Sequence, residues 1–119
     1  YTGSTGGRYS DALGNDYFTS SDFSAAANFA TRSVSLTSSS TATTRDLLAV
    51  STDANLDFTG TMTYTAATNN LSGTINTTGG STGNVTGQFY GPAAEELGGT
   101  FSVDPVGVNA YIGAFGAKK

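Results

Sequence analysis

Apolar residues in this chain recur mostly at every second position, the period of a strand with one buried and one wet face. In the clearest stretch Leu56, Phe58, Gly60, Met62 and Tyr64 alternate with Asp57, Thr59, Thr61, Thr63 and Thr65. After a turn at residues 67–70 the design repeats, with Leu71, Gly73 and Ile75 set against Ser72, Thr74 and Asn76. The two segments are therefore expected to form a β-hairpin. The alternation resumes after a Gly-rich turn at 78–83, through Val85, Gly87 and Phe89, and again through Leu97, Gly99, Phe101 and Val103. A turn at Asp104-Pro105 leads to a last strand over 108–117.

Upstream the pattern weakens. Residues 28–37 and 46–52 are expected as two more strands, with 38–44 as the loop between them, and residues 1–22 as an irregular stretch, an extra strand or a docked arm. Helical period is nearly absent. The sequence Pro92-Ala93-Ala94-Glu95-Glu96 reads as one short helical turn, because proline is pre-set for a first turn and Gly98-Gly99 stops it.

Seven or eight short antiparallel strands with glycine inside them predict an all-β fold. The expected form is a single antiparallel β-barrel of about eight strands, since interior glycine lets strands bend and closure removes exposed edges. Its core is expected to hold Leu56, Phe58, Met62, Leu71, Ile75, Val85, Phe89, Leu97 and Phe101. An immunoglobulin-like sandwich is the alternative, but the chain has no Trp and no Cys pair. A membrane barrel would need an apolar outer band about 25 Å tall, and the face opposite Phe58 and Met62 is threonine.

The 119 residues fit one domain. Only 12% are charged, while more than a quarter are Ser or Thr, so solubility rests on hydroxyls. The net charge of −4 and five scattered basic residues exclude the basic stripe of a nucleic-acid binder. With neither Cys nor His, the usual metal ligands and the usual neutral-pH base are missing. No apolar run reaches the ~18 residues of a transmembrane helix. The chain opens at Tyr1 without a leader segment, so any leader, lipid anchor or further N-terminal domain is expected outside it.

The most distinctive stretch is Phe89-Tyr90-Gly91-Pro92-x-Ala94-x-Glu96-x-Gly98-Gly99-x-Phe101, followed by the closing Gly113-Ala114-Phe115-Gly116-Ala117-Lys118-Lys119. It resembles the β-barrel domain of transferrin-binding protein B and its relatives, over roughly residues 23–119. The resemblance implies a surface lipoprotein or secreted bacterial protein that binds transferrin, complement factor, haemoglobin or haem. The motif residues themselves read as structural: Gly91-Pro92 turns the chain out of a strand, and Glu96 caps backbone donors or meets a basic side chain.

Candidate chemistry is thin. The possible bases are Asp11, Asp16, Asp22, Asp46, Asp53, Asp57, Glu95, Glu96 and Asp104, and the adjacent Glu95-Glu96 point apart rather than converging. No enzyme activity and no cofactor are expected. The acidic stretch Asp11, Asn15, Asp16, Asp22 lacks EF-hand spacing. A haem ligand could only be tyrosine, with Tyr9, Tyr17 and Tyr111 as candidates. Two function classes remain. One is a protein-binding module acting through barrel-end loops, with Arg8, Tyr9, Tyr17 and Phe18 as contact candidates. The other is a structural or assembly unit of the bacterial surface: a stalk, an export handle or an array subunit.

Overall fold

A computed structural model of the chain describes residues 1–11, 13–45, 50–103 and 110–119. Among these residues nine strands form one antiparallel sheet: β1 (Thr2–Ser10), β2 (Asp16–Asn28), β3 (Ser33–Thr44), β4 (Val50–Thr52), β5 (Phe58–Thr63), β6 (Asn70–Thr77), β7 (Thr82–Tyr90), β8 (Glu96–Val103) and β9 (Ala110–Lys118). The order is β2-β1-β9-β8-β7-β6-β5-β3-β4, and β2 also pairs with β3. That last pairing closes eight strands into a barrel. The short β4 is an extra strand on the same flank of β3 that β5 occupies further along.

Inside, Phe23, Val34, Leu36, Phe58, Met62, Leu71, Ile75, Val85, Leu97, Phe101 and Phe115 form one continuous core with Phe89 toward one end. All nine core positions expected from alternation are buried. Phe58 and Phe101 pack at 4.9 Å between ring centroids, and Phe23 stacks on Phe115 at 4.6 Å. Glycine permits the tight closure. A Cβ on Gly73 would lie 1.8 Å from the Thr61 carbonyl oxygen, and one on Gly99 would lie 2.0 Å from that of Thr86. The neighbouring backbone thus occupies the space a side chain would need.

Several expected elements are corrected. The turn at Pro92–Glu96 is not helical; the helical turn is a 3-10 segment at Ala54–Leu56, capped by Asp53, whose carboxylate accepts from Asn55 N. Leu56 therefore reaches the core from this turn rather than from a strand. Residues 38–44, expected as a loop, belong to β3; of the strand expected over 28–37, residues 33–37 are the first part of β3, while 29–32 form the turn from β2, where Asn28 Oδ1 accepts from Ala30 N and Thr31 N. Residues 2–10 and 16–22 are staves of the barrel as β1 and the first half of β2. The turn expected at Asp104-Pro105 and the strand residues 46–49 fall outside the described residues.

A bulge interrupts the alternation of β3. The register against β2 shifts between Ser20 and Asp22, so that Ser40 and Thr41 together oppose Ser21, and Ser40 takes a left-handed φ of 55°. Ser39 and Ser40 both face out, and the inward phase restarts at Thr41 and Thr43. Around this bulge the barrel interior changes character: Thr5, Thr19, Ser21, Ser38, Thr41 and Thr43 are buried in place of hydrocarbon.

Candidate functional site

The barrel has two unlike ends. At one end, reached by the chain at residues 11, 13–15, 53–57 and 78–81, stand the four contact candidates. Antiparallel pairing sets Arg8 opposite Phe18 and Tyr9 opposite Tyr17. Strand alternation then splits them into two pairs. Arg8 and Phe18 face outward, with the guanidinium 5.7 Å from the ring centroid and Phe18 62% exposed. Tyr9 and Tyr17 face the mouth, 6.0 Å apart, and Tyr9 meets the edge of Tyr111 at 6.4 Å. The four do not form a single patch.

The mouth itself is polar. Tyr9, Tyr17, Asp11, Asp53, Thr43 and Ser51 border a hollow of about 330 Å³. Asp11 organises the loop after β1: its carboxylate accepts from Leu13 N and Asn15 N at 2.9 Å, Asn15 Nδ2 at 3.1 Å and the Tyr17 hydroxyl at 3.3 Å. The Asn15 backbone N–H, ahead of the other donors, holds its carboxyl below the usual range. Burial raises the Tyr9 phenol, helped by the nearby Asp53 and Asp11. Asp16 accepts from Ser10 Oγ on the outer face, and Asp22 lies farther along β2, so Asp11, Asn15, Asp16 and Asp22 are not gathered around one point. Among the described residues no group of three or more acidic side chains is placed to hold a metal ion.

Tyr111, the third tyrosine considered for haem, is 2% exposed and runs into the barrel. Its hydroxyl lies among the interior hydroxyls of Thr19 and Thr41 but makes no hydrogen bond of good geometry. Burial pushes its pKa up to about 12, against a smaller opposing effect of Thr19. Sequence reasoning missed this polar interior and its anchor. Asp57, placed by alternation on the wet face, accepts from Thr41 N and Thr41 Oγ1. No local signal marks it, because its partner Thr41 comes from β3, 16 residues earlier, where the β3–β5 ladder is interrupted.

The motif Phe89, Tyr90, Gly91, Pro92, Ala94, Glu96, Gly98, Gly99, Phe101 starts at the opposite end and runs down β8, where Phe101 reaches the mid-barrel core against Phe58 and Tyr111. Phe89 is the hub of an aromatic plug, with Tyr1 at 5.8 Å, Phe29 at 5.5 Å and Tyr64 at 5.8 Å. Gly91 turns the chain at a φ of 91°, and Glu95 Oε2 accepts from Ala93 N. The loop holds both chain ends: the Tyr1 hydroxyl donates to Ala94 O, Lys119 N to Glu95 O and Lys119 Nζ to Ala93 O. Glu96 faces Lys118 at 3.8 Å, an exposed pair worth under about 1 kcal/mol. Glu95 and Glu96 thus serve separate partners.

Along the wall from β3 to β8, outward positions are mainly Thr, Ser, Asn and Gln. Among the described residues no helix is long and apolar enough to cross a membrane.

Comparison with curated proteins finds no match. Two crystal structures of the vaccine antigen transferrin-binding protein B from Haemophilus parasuis Hp5, a single and a double mutant, share the fold with TM-scores of 0.60 and 0.61 at 22% and 21% identity. Each match covers 99% of this chain and 25% of the solved one, so the chain spans about a quarter of those relatives. The family described as the C-lobe and N-lobe β-barrels of transferrin-binding protein B matches residues 1–119. With the match running from end to end and the motif loop clasping the barrel as described, this chain belongs to the transferrin-binding protein B β-barrel family.

Proposed function

We propose that the chain is a non-enzymatic binding module of a bacterial surface-exposed or secreted protein. It engages a host or nutrient protein of the transferrin or haemoglobin kind through the open end of the barrel and its outer rim. One observation supports this beyond family membership. Strand register aligns Ile112, Arg8, Phe18, Thr44 and Val50 in a single row across β9, β1, β2, β3 and β4. Phe18, Ile112 and Val50 are exposed, and Leu13 is exposed on the neighbouring loop. Exposed large apolar side chains gathered on one rim, beside a wall that is otherwise hydroxyl-rich, favour protein contact there.

A second reading is favoured by the place of the N-terminal stretch. Because β1 and β2 are staves and not a free arm, the domain also fits a structural or assembly unit of the cell surface. The test is surface plasmon resonance of the immobilised domain against purified transferrin, haemoglobin and complement factor, with a Phe18→Ser/Ile112→Ser variant alongside. Saturable binding that the variant loses supports the binding module. No binding to any of the three, with envelope components captured instead, gives the assembly reading the lead.

A further inference from the structure

On the side of the barrel away from that rim, β6, β7 and β8 frame a trough of about 450 Å³ on the outer wall. Its polar lining is Tyr90, Gln88, Asn70, Ser72, Thr86 and Thr100, and its floor includes Gly98. None of the lining residues is charged. Two inter-strand spacings make it roughly 10 Å across, and four residues along β7 make it about 13 Å long.

The side chains are arranged rather than scattered. Register sets Asn70 opposite Gln88 and Gln88 opposite Gly98, with Thr86 opposite Thr100 one step along. Gln88 Nε2 donates to Asn70 Oδ1 at 2.9 Å, so the Gln88 oxygen and the Asn70 amino group lie outside that bond. The Thr86 and Thr100 hydroxyls are 3.4 Å apart. Tyr90 leans over Gly98: a Cβ at that position would come within 3.3 Å of its ring. The ring remains 51% exposed.

We infer that this trough binds a neutral oligosaccharide, packed against Tyr90 and hydrogen-bonded by Gln88, Asn70, Thr86 and Thr100. A sugar ring has a face of polarised C–H groups that suits the electron-rich face of an aromatic ring. Its hydroxyls both donate and accept, which matches amide and hydroxyl side chains carrying both functions. The charges beside the trough, Glu96 opposite Tyr90 and Lys118 opposite Glu96, face each other at 3.8 Å, which leaves a charged ligand little to gain. An apolar one would strip water from four side chains without replacing their hydrogen bonds. Gly98 keeps the floor open, and a side chain there would displace Tyr90.

The test uses the folded domain with maltotriose, cellotriose, xylotriose and triacetylchitotriose, and with trigalacturonate as the charged control, followed by amide chemical-shift titration to about 20 mM. Millimolar binding is the scale expected for such a shallow site. At least one neutral trisaccharide should shift Ser72, Thr86 and Thr100 saturably. Tyr90→Ala and Gln88→Ala should each weaken it at least about tenfold, while Phe18→Ser leaves it unchanged. Circular dichroism establishes that each variant is folded. The inference is overturned if no neutral sugar binds, if binding survives Tyr90→Ala, or if trigalacturonate binds more tightly. Because Phe18→Ser separates the two surfaces, loss of the rim reading leaves this one standing, and the reverse.

Discussion

Thr41 donates both its backbone N–H and its hydroxyl to one oxygen of Asp57, at 3.0 and 2.6 Å. This contact lies where β3 has left its ladder with β5 at Thr37 and has not yet joined β4 at Ala42. The Ser38 hydroxyl accepts from Phe58 N in the same gap, and Asp53 N donates to Thr41 O. Side chains thus take over the hydrogen bonding that the interrupted strand cannot supply.

Asp57→Ala should therefore destabilise the domain by about 2 to 4 kcal/mol, since hydrogen bonds to a charged group contribute about 1.5 to 3 kcal/mol and Thr41 would be left unpaired. Urea denaturation would measure it. A loss under about 0.5 kcal/mol would mean that water replaces the carboxylate at no cost.

Tyr111 should make the barrel sensitive to alkali. Its phenol titrates near 12 when folded and near 10 when unfolded, so above pH 10 the unfolded chain releases its proton first. Stability should fall as pH rises from about 10 to 12, by roughly 2 to 3 kcal/mol at the end of that window. In Tyr111→Phe this share of the loss should vanish, with stability at pH 7 within about 1 kcal/mol of the parent because the lost hydroxyl had no good hydrogen bond. An unchanged alkaline profile in Tyr111→Phe would refute the assignment.

Phe101→Ala should cost about 3 to 5 kcal/mol. The ring is buried and packs on both Phe58 at 4.9 Å and Tyr111 at 5.0 Å, so a cavity there has neighbours on two sides and little room to collapse. Thermal or chemical denaturation decides it.

The four contact candidates should separate by face. Arg8→Ala/Phe18→Ala should shift stability by under about 1 kcal/mol in total, as surface changes do. Tyr9→Ala/Tyr17→Ala should cost more, because Tyr9 packs against Tyr111 and Tyr17 donates to Asp11. Equal losses in the two double variants would show that the outer row carries the barrel as much as the mouth does.

From β5 to β9 the sequence was sufficient to read the fold, because one face of each strand is hydrocarbon and the other hydroxyl. Leu71 and Ile75 against Ser72 and Thr74 leave only one register that buries the apolar set. The motif was likewise legible, since Gly91 and Gly99 mark positions where backbone conformation or close approach leaves no choice.

In β1, the first part of β2 and the second part of β3 the same rule had no contrast to act on. The inward positions Thr5, Thr19, Ser21 and Thr41 are chemically like their outward neighbours, and the bulge at Ser40 shifts the phase by one residue. Burial there follows from the barrel as a whole, which brings these hydroxyls of β1, β2 and β3 inside together. Thr5 meets Ser21, and Thr41 meets Asp57. Alternation within the β1–β2 hairpin already separates Arg8 and Phe18 from Tyr9 and Tyr17, whereas the alignment of Ile112 with Phe18 and Val50 on one row depends on β9 pairing with β1, strands distant in sequence. Local alternation records which residues prefer to leave water. Only the closed barrel decides which polar residues are carried inside with them, and which apolar ones are left on the rim.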